Sequence, residues 1–260
     1  MIKFFRKIRQ KLLSENKFSK YLIYAIGEII LIVIGILIAL QINNWNEQKK
    51  ENILETKLKS ELIEEFEKDL TQLESKIKIR NRIINASLKL LSYIDDENTQ
   101  DSDSIKYFMS YTSYRPTFDP ISIEMIDKSD IGIIKNDSLR RFLTAWKIDV
   151  LQLREDELNW QNYVTEHKYA YELNIASGLA RDLQIEFWKD KNSSLFLLES
   201  DSVNRIDLNE PKVKIDYVEI LKSPFWETYC TRAIQLNNDA NLNSKVLIQR
   251  IKLIIRLLKE

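Results

Sequence analysis

The chain is poor in the residues that make turns, with four glycines and four prolines in 260 residues, against ordinary usage of about 7% and 5%. Tight turns needing either residue are therefore scarce, which excludes a many-stranded sheet and favours long helices. Cysteine occurs once, at Cys230, so no disulfide can form within the chain. Its thiol is either a small buried hydrophobe or a partner for a second chain. Histidine also occurs once, at His167, and with no cysteine beside it a zinc site or a Ser-His-Asp triad lacks its parts. Nor is there a nucleophile motif, a phosphate-cradling glycine loop or a metal-ligand spacing. The sequence therefore leads to the expectation of no cofactor, no metal, no catalytic residue and no enzymatic activity. The acidic run from Asp95 to Asp103 lacks the glycine and the distal glutamate of a calcium loop. It reads as a solvated connection, followed by a helix capped at Ser102 or Asp103.

What is present is one long apolar run, Tyr21 to Ile42, unbroken by any polar residue from Ile29 to Leu40. A helix needs about 20 mostly apolar residues to cross a bilayer core, so 21–42 reads as a transmembrane helix. The apolar part of a cleaved signal peptide is shorter and ends in a small-x-small site, so an uncleaved signal-anchor is expected. Tyr21, Tyr24 and Trp45 suit the two membrane interfaces.

Formal net charge is zero, but residues 1–20 carry Lys3, Arg6, Lys7, Arg9, Lys11, Lys17 and Lys20 against Glu15 alone. Cations gather on the cytoplasmic flank of a span. This predicts a cytoplasmic N-terminus in the inner membrane and a periplasmic region after residue 43. Phe5, Ile8 and Leu12 make 1–20 either an amphipathic helix on anionic lipid or a plain positive flank. Because the positive charge ends where the apolar run begins, nucleic acid is not an expected partner.

Within the span, Glu28, Gly35 and Ala39 share one helix face, and Gly35 and Ala39 form a small-x-x-x-small pair of the kind that lets two helices approach closely. One reading is a homo-oligomer formed through the span, with Glu28 hydrogen-bonded at the seam. The other is a lone span with Glu28 reaching toward the cytoplasmic headgroups.

The stretch from Gly27-Glu28 through Gly35 and Ala39 to Gln41-Ile-Asn43-Asn44-Trp45-Asn46-Glu47 resembles a family of uncharacterised single-span proteins common in Bacteroidetes-type Gram-negative bacteria. The likeness is specific at the span and its exit and loose beyond about residue 60. It implies an inner-membrane anchor with a helical periplasmic domain. It carries over no catalytic or binding residue.

Downstream, Leu54, Leu58, Leu62, Phe66, Leu70, Leu73, Ile77, Ile84, Leu88 and Leu91 hold one helical face, with Asn81 at the missing step. The spacing suits a straight helix over 43–94; from residue 46 to 94 it would run about 73 Å at 1.5 Å per residue. A short helix over 104–111 follows. Pro116 and Pro120 then break the pattern, and Asp119 or Ser122 opens a helix toward Lys128.

Ile131, Ile133 and Ile134 pin a tight connection through Gly132 to the core. Asn136 or Asp137 caps a long helix, striped by Leu139, Leu143, Trp146, Val150, Leu153, Trp160, Val164, Tyr171 and Ile175. Glu157 and His167 fall on or near that stripe. They are either satisfied polar groups at the core edge or parts of a ligand pocket between helices. Gly178 is a weak point. Residues 192–216 are irregular, with a candidate strand at 194–198 and a candidate partner-binding edge. Ser223-Pro224 starts a last long helix, with Glu227 placed for a capping box. Its heptad stripe runs from Trp226 through Cys230, Ala233, Asn237, Ala240, Ser244, Leu247, Ile251 and Ile254 to Leu258.

The expected fold is all-α: a transmembrane helix leading into an elongated bundle built from 46–94, 137–185 and 223–259 as antiparallel-capable helices. The divisions are a basic cytoplasmic segment 1–20, a span 21–42, a stalk and bundle helix 43–94, and a periplasmic remainder 95–260. The expected function is a membrane-anchored periplasmic interaction, sensory or scaffold module. It would bind an unknown membrane or periplasmic protein. The alternative is a small-ligand or enzymatic helical domain using a pocket near Glu157 and His167.

Overall fold

A computed structural model describes residues 18–96, 98, 100–175, 178–189 and 208–260. The proposed amphipathic helix near the N-terminus, the candidate strand at 194–198 and most of the 192–216 edge lie outside these residues. The fold is all-α, and no strand occurs among the described residues. Contacts divide the chain into two compact units, Met1–Lys57 and Leu58–Glu260.

The first unit consists, in its described part, of the start of helix α1 (Phe18–Asp95). Here the apolar side chains are solvent-facing: Ile23 is 71% exposed and Leu31 64%. A Cβ added at Gly27 or Gly35 would meet nothing within 4 Å. This is one helix long and apolar enough to cross a membrane, with an apolar window of mean hydropathy 2.6, none of it buried within the protein. Neither glycine nor proline occurs between Gly35 and Pro116, so nothing in the sequence stops α1 before its acidic end.

The second unit is a bundle of α1 from Leu58 onward with α2 (Ser102–Tyr111), α3 (Ile121–Lys128), α4 (Asp137–Tyr163), α5 (Tyr169–Ile175), α6 (Leu179–Lys189), α7 (Tyr217–Leu221) and α8 (Pro224–Lys259). A 3₁₀ turn, Ile131–Ile133, precedes α4, and a π turn, Val164–Lys168, joins α4 to α5.

The helix starts follow from side-chain chemistry. Asp101 caps α2 by accepting from Ser104 N at 3.0 Å, one residue before the expected Ser102 and two before Asp103. Asn136 caps α4 through Leu139 N at 3.0 Å. Ser223 caps α8, with Pro224 at its first position. The expected capping box does not close there, because Ser223 N donates to the Ile220 carbonyl at 3.2 Å. Helix α3 begins after Pro120 with no side-chain cap of its own. Its first N–H groups go instead to Asp69 on α1.

Inter-helix pairs give the directions. Arg80 meets Glu157 and Phe66 meets Trp146, so α1 and α4 run the same way. Asp149 meets Arg250 and Glu67 meets Lys259, so α8 opposes both. The parallel α1–α4 pair is possible because residues 96–136, with α2 and α3, carry the chain back before α4 starts.

Two apolar clusters fill the bundle. One gathers Leu62, Phe66, Trp146, Val150, Ile251 and their neighbours; the other gathers Ile83, Leu90, Met109, Trp160, Trp226 and theirs. The α8 stripe is buried along its whole length, as its heptad spacing predicts. The α1 stripe, whose first member Leu54 is exposed, is followed only from Leu58 to Leu73. Beyond it the buried face turns to Ile79, Arg80, Ile83, Ala86, Leu90 and Tyr93, and Leu88 is 51% exposed. The partner elements change there from one cluster to the other, and the buried face turns with them. The α4 stripe is buried through Val164, then departs: Ile175 is 52% exposed, whereas Lys168 and Glu172 are buried. The π turn holds one residue more than an α turn, which rotates the helix beyond it by about 100° and moves the stripe on by one position.

Gly178 separates α5 from α6 at φ +94°, and a Cβ there would lie 2.8 Å from Pro211 Cβ. Gly178→Ala should therefore lower stability by about 1–3 kcal/mol, read as a lower Tm of the full chain in detergent. An unchanged Tm would mean that this break carries no conformational constraint.

Candidate functional site

Between the two apolar clusters lies a layer of buried polar side chains: Arg80, Glu157, Asn237, Asn241 and Ser244. The Arg80 guanidinium donates to Glu157 Oε1 and to Ser244 Oγ, the latter at 2.8 Å. Glu157 Oε2 accepts from Phe118 N at 2.9 Å. Asn241 Nδ2 donates to Asn81 Oδ1 at 2.9 Å. Burial pushes the Glu157 carboxyl up and the Arg80 guanidinium down, and each is opposed by the charge of the other. The layer ties α1, α4, α8 and the segment before α3 at one level.

The same segment is held at two further points. Gln72 Oε1 accepts from Asp119 N at 3.0 Å. Asp69 accepts from Ile121 N at 3.0 Å and Ser122 N at 3.3 Å, and Ser122 Oγ in turn accepts from Trp146 Nε1 at 2.8 Å. Burial raises the Asp69 pKa, partly offset by its hydrogen bonds from Ser122 and the backbone.

A second polar centre sits in the other cluster. Lys168, fully buried at the end of the π turn, places Nζ 3.1 Å from the Met109 carbonyl, 3.0 Å from Thr112 Oγ1, in hydrogen-bond contact with Ser113 Oγ and 3.6 Å from Glu172 Oε1. Trp226 and Tyr229 present their rings at 5.7 and 5.9 Å. Burial lowers the Lys168 pKa against the opposing charge of Glu172. Tyr229 closes the group by donating to the Thr112 carbonyl at 2.6 Å. Cys230 is buried beside it, its thiol pushed up to about 12 chiefly by burial. This is the environment of an inert packed side chain.

Outside this centre, a cleft of about 420 Å³ is lined by Ser113, Tyr114, Arg115, Tyr169, Glu172, Gln184, Phe187 and Trp188, among others. Another, of about 500 Å³, lies between α3 and α4, rimmed by Asp119, Asp127, Lys147 and Arg154.

The residues singled out from sequence fall in different places. Gly35 and Ala39 lie exposed on α1 one turn apart, and Glu28 is half-buried on the same helix. Glu157 and His167 are not brought together. Glu157 is committed to Arg80 and Phe118 N, while His167 is exposed against the Tyr163 ring at 4.5 Å. The π turn is the physical cause: it carries His167 outward and Lys168 inward. Neither residue lines either of these two clefts.

Sequence pattern alone does not single out Arg80, Asp69 or Lys168. A trace of Arg80 is legible in the polar step at Asn81, its neighbour. Lys168 leaves no trace, since a regular helical period cannot anticipate a π turn.

The class of protein so defined is an all-helical chain with one helix long and apolar enough to span a membrane. Residues 28–145 match a family of unknown function (DUF6090). That match runs from Glu28 through α1, α2 and α3 into the first turns of α4. It takes in Asp69 and Arg80 but neither Glu157 nor Lys168. No curated protein and no solved structure matches the chain.

Two tests probe the polar layer. Removing one partner of a buried ion pair costs about 3–5 kcal/mol, whereas replacing both with apolar groups can be nearly neutral. Arg80→Met and Glu157→Leu should each lower the urea midpoint, and the double variant should lose less than the sum of the two. Additive losses would show that the two charges do not interact.

The second test is pH. Because the folded pKa of Asp69 lies above its unfolded value of 3.8, its contribution is fully present below 3.8 and is lost as pH rises through the folded pKa. The wild type should therefore gain stability relative to Asp69→Asn as pH is lowered from neutral. A pH-independent difference would rule out the raised pKa.

Proposed function

We propose that this chain is a membrane-anchored helical module, with its N-terminus in the cytoplasm and its bundle on the periplasmic side, which acts by binding a partner protein. The observation that carries this reading is the unburied apolar window of α1, in a chain whose bundle satisfies its own apolar stripes internally. An apolar helix surface of this length, left uncovered by its own chain, calls for lipid. The basic cluster at residues 1–20 supports the orientation by the positive-inside rule. The family resemblance at the span and its exit supports an inner-membrane site in a Gram-negative cell. The reading requires no catalysis by the chain. The small-ligand alternative loses its pocket near Glu157 and His167, because one of the two is paired and buried and the other faces solvent.

The span is also the proposed element of self-association, with Glu28, Gly35 and Ala39 on the contact face. The exposed Gly35 and Ala39 leave room for a second helix to approach closely.

Alkaline phosphatase fused after residue 260 should be active in a Gram-negative host, and the same fusion at residue 20 inactive. The reverse pattern would overturn the orientation. Gly35→Leu with Ala39→Leu should abolish association of the span in a membrane two-hybrid assay, and unchanged association would remove the homo-oligomer from the proposal.

A further inference from the structure

Ser113 lies just past the C-terminus of α2, half-buried, on the wall of the 420 Å³ cleft. Behind it stands Lys168, with no solvent exposure. Lys168 Nζ has three close partners, and their protons can be assigned. The Met109 carbonyl can only accept. Thr112 Oγ1 donates its own proton to that same carbonyl at 2.8 Å, so it accepts from Lys168. As an ammonium, Lys168 donates to all three. Once deprotonated it keeps two N–H bonds, for Met109 O and Thr112 Oγ1, and a lone pair that faces the third partner, the Ser113 hydroxyl. Of the three, only Ser113 has a proton to give. It is also the only one of the three that lines the cleft.

We infer that Ser113 and Lys168 form a nucleophile–base pair, and that the cleft accepts an ester or amide with an apolar acyl group. The pairing follows the general logic of an activated hydroxyl beside a desolvated amine. The charged form of Lys168 is opposed by burial and favoured by Glu172, and burial is the larger effect. The π turn bears directly on this site, because it brings Lys168 inward, and such turns concentrate at functional sites. The apolar acyl preference comes from Leu183, Phe187 and Trp188 on the cleft wall; Arg115 and Gln184 on the same wall are the donors available to a developing oxyanion.

In the reaction, Ser113 Oγ bonds to the acyl carbon as its proton passes to Lys168 Nζ, and the carbonyl π pair moves to oxygen. That pair returns as the bond to the leaving alcohol or amine breaks, and the leaving group takes the proton from the Lys168 ammonium. Water, losing a proton to the now neutral Lys168, bonds to the acyl carbon; the carbon–Oγ bond then breaks, the acid departs, and Ser113 Oγ takes the proton back from Lys168. No oxidant, metal or further reactant is needed. This activity is independent of the anchoring and partner binding proposed above.

The test uses the full chain in detergent with an alkyl fluorophosphonate probe, read by intact mass and peptide mapping. One adduct at Ser113 is expected, absent in Ser113→Ala and formed at least about a hundredfold more slowly in Lys168→Met, the scale of general-base catalysis. Its rate should rise with pH through an inflection below 10.5, the ordinary lysine value. No adduct on the folded wild type, or an adduct at another residue, overturns the inference. So does unchanged labelling of a folded Lys168→Met. Should that variant fail to fold, the wild-type pH profile decides: a rate that climbs without an inflection below 10.5 excludes Lys168 as the base.

Discussion

A guanidinium buried in the middle of a helical bundle must find an anion and further acceptors, or the bundle does not form around it. Arg80 finds Glu157 on α4 and Ser244 on α8. Three long helices are thereby fixed in register at one level. The second oxygen of Glu157 takes Phe118 N and so fixes the chain segment that precedes α3. The apolar clusters on either side can then be completed, since each draws on the same three helices. A buried ion pair of this kind is a weak source of net stability. Its effect here is geometric, because it admits only one axial alignment of α1, α4 and α8.

The segment from Phe118 to Ser122 shows how far that constraint reaches. It has little regular structure of its own before α3, yet its backbone N–H groups are taken by Glu157, Gln72 and Asp69 in turn. Side chains from long helices supply the partners that a helix or sheet would otherwise give. Helix α3 accordingly starts where Asp69 receives it, rather than where a local cap would put it.

The second unit depends equally on one irregularity. The π turn at Val164–Lys168 interrupts an otherwise regular run from Asp137 to Ile175. One extra residue exchanges the inward and outward faces beyond it. A histidine goes out to solvent and a lysine comes in to the α2 C-terminus, where a cation is favoured by the exposed carbonyls. The polar centre around Lys168 and the cleft in front of it are products of that rotation. Unit one, by contrast, needs no such device: its apolar residues are left facing outward along a helix long and apolar enough to cross a membrane.

Composition and periodicity were enough to read an all-helical chain, its apolar anchor candidate, the starts of α4 and α8, and every position of the α8 stripe from Trp226 to Leu258, though not the buried Tyr229 and Asn241 beside it or the break in the run expected over 137–185. These are local properties. Scarce glycine and proline, a capping Asn136 and Ser223, and a regular three-four spacing act through the backbone of one segment at a time. Tertiary structure alone decided that α1 and α4 run parallel, that Arg80 rather than the nearby Asn81 enters the core, that Glu157 belongs to an ion pair, and that Lys168 replaces His167 on the inner face. Each of these depends on which side chain from a distant segment arrives to satisfy a charge or fill a volume. A single helix's pattern holds no record of its partners, so those choices became visible only once the helices were packed together.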